Sequence, residues 1–216
     1  MQAFIFDMDG VIIDSEPIHS RVKMDTFQHF GLPFEEKNLV KYMGRTSREL
    51  FVDVLKNENR WDLDVDDITD FKHKHYLEVL EHGDIEPVAG AVELIHTLHE
   101  AGVPLGLATS SNRKVIRIVL DRFGLEGCFS SIISGNDLPE SKPNPEIYLR
   151  TAQNLNLDPA TCVVLEDTKN GVLAAKRAGM QCIGYRNPNS GNQDLSKADR
   201  IIDHVGDLQL ADLQKM

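Results

Sequence analysis

The chain has few cysteines and no long apolar run. Its 216 residues include three cysteines, Cys128, Cys162 and Cys182, which lie far apart and form no Cys-x-x-Cys pair. We therefore expect neither a disulfide framework nor a zinc site, and free thiols fit a reducing compartment. No apolar run approaches the ~20 residues of a membrane span, and acidic residues occupy positions 7 and 9, where a signal peptide would carry its apolar stretch. These absences predict a soluble cytoplasmic protein with no membrane attachment.

Positive charge is also scarce. The sequence contains 23 Lys and Arg residues against 34 Asp and Glu residues, a formal net charge of −11. A surface that binds nucleic acid or an anionic membrane needs a basic face, so we expect no nucleic-acid partner and instead a small-molecule ligand. The length suits one well-buried core with an embedded insertion. No exposed apolar helix face stands out in the sequence, which favours a monomer.

Two carboxylates follow a short apolar run at the amino-terminal end. The segment Ala3–Phe6 reads AFIF and is followed directly by Asp7-Met8-Asp9-Gly10-Val11. Positions i and i+2 of an extended chain point the same way, and ligands of parallel sheets bind at the carboxyl ends of the strands. Two adjacent anions at such an edge need a cation. An Asp-x-Asp pair alone is more typical of a solvated turn, but after a buried strand it predicts a magnesium-dependent phosphoryl-transfer site.

The rest of the chain divides into two patterns. Residues 15–82 show only helical periodicity, whereas from residue 83 onwards helices alternate with short apolar runs at 104–108, 131–134, 162–165, 182–185 and 200–202. Alternation of this kind predicts βαβ units and a parallel sheet. The expected fold class is α/β: a Rossmann-like parallel-sheet core with helices on both faces, formed by residues 1–14 and 83–216, plus an inserted all-helical cap domain at 15–82.

Three further polar segments follow predicted strands. Thr109–Asn112 supplies hydroxyl and backbone N–H groups at the start of a helix, where an anion is favoured. Lys142 precedes two prolines in a rigid turn, which would hold its ammonium group in place. Glu166 and Asp167 offer oxygen ligands of the kind that Mg²⁺ takes. Each segment alone also fits a helix cap, a surface turn or an acidic first helical turn, but their shared position at strand ends favours one site.

These four motifs, in this order, resemble those of the haloacid dehalogenase-like superfamily, in the branch that holds small sugar phosphatases and β-phosphoglucomutase. The resemblance covers nearly the whole chain, with the motifs standing at Asp7 to Val11, Thr109, Lys142 and Glu166-Asp167. It implies that Asp7 attacks phosphorus and becomes an aspartyl-phosphate. It also implies that Asp9 is the general acid and base, protonating the leaving oxygen and then activating water or a sugar hydroxyl.

The resemblance further implies a metal and phosphate-binding set. Mg²⁺ would be held by the carboxylate of Asp7, the backbone carbonyl of Asp9, Asp167 and Glu166. The transferring phosphoryl oxygens would be bound by Thr109, the backbone amide of Ser110 and Lys142, because this reaction is catalysed mainly by positioning and charge neutralisation. The implied cofactor is Mg²⁺, and the implied partner is a phosphorylated small molecule.

Two residues of the predicted cap also match the mutase-like branch. His19 falls where β-phosphoglucomutase-like chains carry a histidine at the cap hinge, thought to assist proton transfer with the second aspartate. Lys72 precedes Tyr76 by four residues, as a mutase-like cap lysine precedes a tyrosine, and is a candidate contact for the distal phosphate. Each also fits an ordinary helix-face side chain without a catalytic part.

Two departures favour hydrolysis over a mutase reaction. Mutase-like caps carry a Gly-x-x-Arg segment that grips the second phosphate, but after Gly44 the arginine comes one residue later, at Arg48. Asn112 stands where mutase-like chains have a lysine, which removes one cation from that subsite. We therefore predict a Mg²⁺-dependent phosphatase of small phosphorylated metabolites such as sugar phosphates. The alternative is a β-phosphoglucomutase, which converts β-glucose 1-phosphate to glucose 6-phosphate.

Overall fold

The computed structural model describes residues 1–42 and 45–216, and these fall into two compact units. The first, which we call the sheet unit, comprises Met1–Asp14 and Glu86–Met216. The second, the helical unit, comprises Ser15–Ile85. The sequence pattern put the return to the core at residue 83, whereas the sheet unit resumes at Glu86. Each unit has its own cluster of buried apolar side chains.

Six parallel strands form the sheet within the described part of the sheet unit, in the order β3-β2-β1-β4-β5-β6. They are β1 (Ala3–Phe6), β2 (Leu105–Thr109), β3 (Ser131–Ser134), β4 (Cys162–Glu166), β5 (Gln181–Tyr185) and β6 (Arg200–Ile202). The predicted α/β class with a parallel sheet is confirmed. The chain order reverses on either side of β1, and open parallel sheets bind ligands at the carboxyl ends of the strands beside such a reversal.

The register of β1 decides where its carboxylates lie. All four residues of β1 are buried, and Phe6 pairs with Leu107 on one neighbour and with Leu165 on the other. The backbone N–H of Asp7 donates to the carbonyl of Leu165 over 3.1 Å, so the pairing with β4 continues one residue past the strand. Asp7 is therefore brought level with the last residues of both neighbouring strands.

Eight α-helices lie in the described ranges. They are α1 (Ser15–His29), α2 (Ser47–Asn57), α3 (Val65–His82), α4 (Ala91–Glu100), α5 (Arg113–Arg122), α6 (Glu146–Asn154), α7 (Lys169–Arg177) and α8 (Leu210–Leu213). In the sheet unit, residues of α6 and α7 join the buried cluster with β1, β4 and β5. Among the described helices, none combines the length and the apolar character that crossing a bilayer requires.

The helical unit is built on aromatic and aliphatic packing between α1, α2 and α3. Phe27 stacks on Phe34 with ring centroids 4.3 Å apart and meets Phe51 edge-on at 5.5 Å. A capping box at Thr46 and Glu49 fixes the start of α2. Gly44 lies outside the described residues.

The chain segments that precede and follow the helical unit are hydrogen-bonded to each other within the sheet unit. Ile13 and Pro87 form an antiparallel bridge, and the N–H of Val88 donates to the carbonyl of Ile12 over 2.8 Å. The sheet unit therefore closes on itself at the point where the chain leaves it and returns.

Candidate active site

Lys142 connects the ends of three neighbouring strands. Its Nζ donates to Oδ1 of Asp7 and to Oε1 of Glu166, both over 2.7 Å. A third hydrogen bond, of 3.0 Å, reaches the carbonyl of Ala108 in β2. The Lys142 and Asp7 side chains are only 7% and 8% exposed, so these are buried, charge-assisted contacts. The structure thus brings together the first, third and fourth predicted motifs.

Glu166 is the most heavily hydrogen-bonded carboxylate of the site. Besides Lys142, its Oε1 accepts from the hydroxyl of Tyr148 over 2.8 Å. Its Oε2 accepts from the backbone N–H groups of Asp167 and Thr168 and from the hydroxyl of Thr168, over 3.0 to 3.1 Å. These bonds fix Lys142 and the start of α7. Burial alone would raise the pKa of Glu166, but Lys142 holds it below its usual value.

Three carboxylates form a cluster that fits a divalent metal ion. Oxygens of Asp7, Glu166 and Asp167 lie within 4.8 Å of one another. Among the described residues, Oδ1 of Asp167 is the buried side-chain atom that has no hydrogen-bond partner. A buried oxygen left unpaired is costly, and hard cations take carboxylate oxygens as ligands. The donor set and the unpaired oxygen therefore suit such an ion.

The charge balance of the cluster supports the same conclusion. Burial raises the pKa of Asp7 well above its usual value, and Glu166 and Asp167 raise it further against the attraction of Lys142. Burial and the charge of Glu166 raise the pKa of Asp167 to about 7. Burial would lower the pKa of Lys142, yet Asp7 and Glu166 raise it. One lysine thus faces three carboxylates, and added positive charge would make all three more stable as anions.

Removal of this lysine is expected to destabilise the fold. Lys142→Ala should lower the free energy of unfolding by about 3–5 kcal/mol, because it leaves buried carboxylates without their counter-charge. Urea unfolding of the metal-free protein measures the change. The matched control is Lys197→Ala at an exposed position of the sheet unit, expected to stay within about 0.5 kcal/mol of the wild type. Equal stability of the two variants would contradict the prediction.

Asp9 contacts the polar segment after β2. Its Oδ2 accepts from the hydroxyl of Ser111 over 2.7 Å and from that of Thr109 over 3.4 Å. The N–H of Ser111 donates in turn to Oγ1 of Thr109 over 3.0 Å. The first and second predicted motifs therefore meet. The sequence places Ser111 in the anion-favouring segment Thr109–Asn112 but does not predict its contact with Asp9.

Other predicted residues of the segment after β2 have local surroundings. Asn112 is the N-cap of α5, and its Oδ1 accepts from the N–H groups of Lys114 and Val115, both over 3.0 Å. Its amide oxygen is therefore occupied, and substrate binding by Asn112 stays a prediction. Ser110 is exposed, and its backbone packs closely against Gly135, where an added Cβ would lie 3.0 Å from the Cα of Ser110.

Two glycines allow the backbone to approach the carboxylates. Gly10 has φ +79°, and a Cβ there would lie 2.0 Å from Oδ2 of Asp167. A Cβ on Gly171 would lie 1.7 Å from Oε1 of Glu166. No other residue fits either place without displacing a cluster carboxylate. The sequence places Gly10 in the first motif but does not predict this close approach to Asp167.

The helical unit brings two further predicted residues together. Nζ of Lys72 lies 3.2 Å from Nδ1 of His19, and both contact Tyr76: the imidazole stacks on its ring at 4.2 Å, and Nζ lies 4.8 Å from its centroid. Burial lowers the pKa of Lys72 to about 8. Burial and the charge of Lys72 lower the pKa of His19 to about 3, so at neutral pH the imidazole accepts from the ammonium group.

The predicted arginine has a different partner. Arg48 donates to Oδ1 of Asp66 from Nε over 3.1 Å and from Nη2 over 2.9 Å, which links α2 to α3 at the surface. Its neighbour Arg45 pairs with Asp53 over 2.8 Å. Substrate binding by Arg48, as by His19 and Lys72, stays a prediction.

Comparison with known proteins gives similarity across both units. A family model for haloacid dehalogenase-like hydrolases matches residues 4–185. Hexitol phosphatase B of Escherichia coli (strain K12) is 32% identical over 192 residues, covering 88% of this chain and 86% of that protein. The phosphorylated carbohydrates phosphatase of Thermotoga maritima is 32% identical over 186 residues, covering 85% and 84%. The crystal structure of CbbY from Rhodobacter sphaeroides in complex with phosphate superposes with a TM-score of 0.82, at 28% identity, over 99% of both chains.

Proposed function

The chain belongs to the haloacid dehalogenase-like hydrolase family, and from that premise we propose that it is a Mg²⁺-dependent phosphatase of small phosphorylated metabolites, with sugar phosphates as the substrate class. The observation that carries the proposal is the contact of Lys142 with Asp7 inside a buried cluster of three carboxylates. The names of the two phosphatase relatives support phosphate-ester hydrolysis and a carbohydrate substrate.

Asp7 is the proposed nucleophile. A carboxylate oxygen of Asp7 attacks phosphorus, the bond from phosphorus to the ester oxygen breaks, and an aspartyl-phosphate forms. Asp9 gives its proton to the departing oxygen. It then takes a proton from the water that attacks the aspartyl-phosphate, which releases phosphate and restores the carboxylate of Asp7. The hydrogen bond from Ser111 would hold the Asp9 carboxyl group in one orientation between these two steps.

The remaining site residues bind and neutralise charge. Asp7, Asp167, Glu166 and the backbone carbonyl of Asp9 are the proposed Mg²⁺ set. When bound, Mg²⁺ would lower the repulsion between phosphate and carboxylates. Because five hydrogen bonds already occupy Glu166, we propose that its main contribution is to hold Lys142 and Asp167 in place.

The phosphoryl oxygens are the proposed ligands of Lys142, Thr109 and the N–H of Ser110. The raised pKa of Lys142 keeps it cationic across the physiological range, as this task requires. We further propose that the helical unit is a cap that selects the substrate, with His19, Lys72 and Arg48 among its contacts and Asn112 contributing from the sheet unit.

A phosphate-release assay tests the proposal. The wild-type protein is incubated with Mg²⁺ and a panel of phosphorylated sugars, and free phosphate is followed over time. We expect release from at least one substrate, loss of that activity with EDTA, and its return with excess Mg²⁺. Release that EDTA leaves unchanged would contradict the metal dependence. No release from any phosphate ester in the panel would contradict the proposed activity.

A β-phosphoglucomutase is the second candidate function. It is favoured by the direct contact between His19 and Lys72, the two positions at which the sequence resembles mutase-like caps. Incubation with Mg²⁺, β-glucose 1-phosphate and a trace of the 1,6-bisphosphate separates the two activities. Rapid formation of glucose 6-phosphate without matching phosphate release would identify a mutase, whereas phosphate release would identify a phosphatase.

A further inference from the structure

We propose that Ser190 is a positioning residue for the carboxylate of Asp167, and that it decides which oxygen of that carboxylate is presented to the metal ion. This inference rests on the proposed metal-dependent function and concerns a residue outside the four motifs. Ser190 lies in the segment between β5 and β6, at residues 187–190, which we call the 187–190 turn.

The two oxygens of Asp167 have different surroundings. Oδ2 accepts a hydrogen bond from the hydroxyl of Ser190. Oδ1 is buried and has no hydrogen-bond partner among the described residues. A hydroxyl that faces an ionised carboxylate acts as donor, so Ser190 occupies one oxygen and leaves the other available. Rotation of the carboxyl group away from this orientation would break the bond to Ser190.

The 187–190 turn is anchored to the loop that follows β1. Nδ2 of Asn187, a residue only 5% exposed, donates to the carbonyl of Gly10 over 2.9 Å and to Oδ1 of Asp14 over 3.3 Å. Oδ1 of Asn187 accepts from the N–H of Asn189 over 2.7 Å, and Nδ2 of Asn189 donates to Asp14. The N–H of Ser190 donates to the carbonyl of Asn187 over 3.2 Å. Ser190 is therefore carried by a turn with little freedom to move.

Gly10 leaves room for the contact between Ser190 and Asp167. A Cβ on Gly10 would lie 2.0 Å from Oδ2 of Asp167 and 3.0 Å from Oγ of Ser190. The carboxylate oxygen and the hydroxyl therefore share the space that a larger residue would fill. In the space that Gly10 leaves open, the hydroxyl of Ser190 is the donor that orients the carboxylate of Asp167. Partners that orient a metal ligand are typically worth about 10- to 100-fold in metal affinity.

The test is metal binding by the full chain, with Mn²⁺ as the probe and free Mn²⁺ measured by electron paramagnetic resonance. Ser190→Ala is expected to raise the Kd for Mn²⁺ by about 10-fold or more. The matched control, Ser196→Ala, removes an exposed hydroxyl from the same connecting segment and should leave the Kd unchanged. Melting temperatures of the metal-free variants are measured alongside, so that a loss of metal binding is distinguished from the lower stability expected when a buried carboxylate oxygen loses its donor. Unchanged Mn²⁺ affinity in Ser190→Ala would overturn the inference.

If Ser190→Ala does not fold, a second pair of variants tests whether the hydroxyl at position 190 is needed for Mn²⁺ binding. Ser190→Gly lacks the hydroxyl and should bind Mn²⁺ weakly, whereas Ser190→Thr keeps the hydroxyl and should bind as the wild type does. Equal affinity in this pair would overturn the inference. A wild-type protein that fails to bind Mn²⁺ would contradict the proposed function itself. Wild-type binding that survives in Ser190→Ala would contradict only the role of Ser190.

Discussion

Asp7→Asn is expected to reduce phosphate release on the order of 10⁴-fold or more, because an amide cannot form the covalent bond to phosphorus on which both half-reactions depend. The variant should remain folded. Burial and neighbouring carboxylates already disfavour the ionised form of Asp7, and Lys142 keeps its bonds to Glu166 and Ala108. The measurement is kcat at saturating substrate and Mg²⁺.

Two further observations make the role of Asp7 testable beyond loss of activity. Acid quenching after incubation with a radiolabelled phosphate ester should trap label on the wild-type protein and none on Asp7→Asn. The matched control is Asp121→Asn, at an exposed position in α5, which should keep wild-type turnover and trapping. If Asp7→Asn retained turnover, or if it trapped label to the same extent as the wild type, Asp7 would not be the nucleophile.

Asp9→Asn is expected to lower kcat by about 10²- to 10⁴-fold with little change in KM. The asparagine oxygen can still accept the hydrogen bond from Ser111, so the local geometry is kept, but the amide cannot carry a proton. An aryl phosphate sharpens the test, because nitrophenolate leaves without being protonated. We therefore expect a burst of nitrophenolate equivalent to one turnover, followed by slow release as water attacks the aspartyl-phosphate without a base.

The burst separates the acid and base roles of Asp9. Ser111→Ala serves as the comparison, since it removes the hydrogen bond to Asp9 but leaves its ability to carry a proton, and its loss in kcat should be smaller. Unchanged turnover in Asp9→Asn would remove both roles. If Asp9→Asn lost both the burst and the steady-state turnover, Asp9 would be needed even when the leaving group requires no proton. That result would contradict the proposed first step.

The sheet and the placement of the motifs were predictable from the sequence. Short apolar runs in alternation with helical segments predicted six strands, and residues 1–42 and 45–216 contain six at about those places. Carboxyl ends of adjacent parallel strands meet at one edge, so the order of the motifs was enough to bring Asp7, Lys142 and Glu166 together. The helices within residues 15–82 were predictable because the apolar positions of this stretch repeat with helical spacing.

The finer contacts were not predictable, because they depend on residues that are distant in sequence. Ser190 reaches Asp167 across 23 positions, and Tyr148 reaches Glu166 across 18, from segments with no motif of their own. The surface ion pair between Arg48 and Asp66 depends on how α2 packs on α3, and substrate binding by Arg48 stays a prediction. The monomeric state and the cytoplasmic location stay predictions, since a single chain bears on neither.

The bridge between Ile13 and Pro87 has a consequence for how such a protein can change over evolutionary time. This bridge joins the two segments of the sheet unit at the point where the chain leaves it and returns. The intervening 71 residues, Ser15–Ile85, can therefore be regarded as an insertion into the sheet unit. The entropic cost of holding the two ends of such an insertion together rises only slowly with its length. If the helical unit selects the substrate as proposed, exchange of this insertion is expected to change the substrate preference, while the proposed catalytic residues of the sheet unit stay the same.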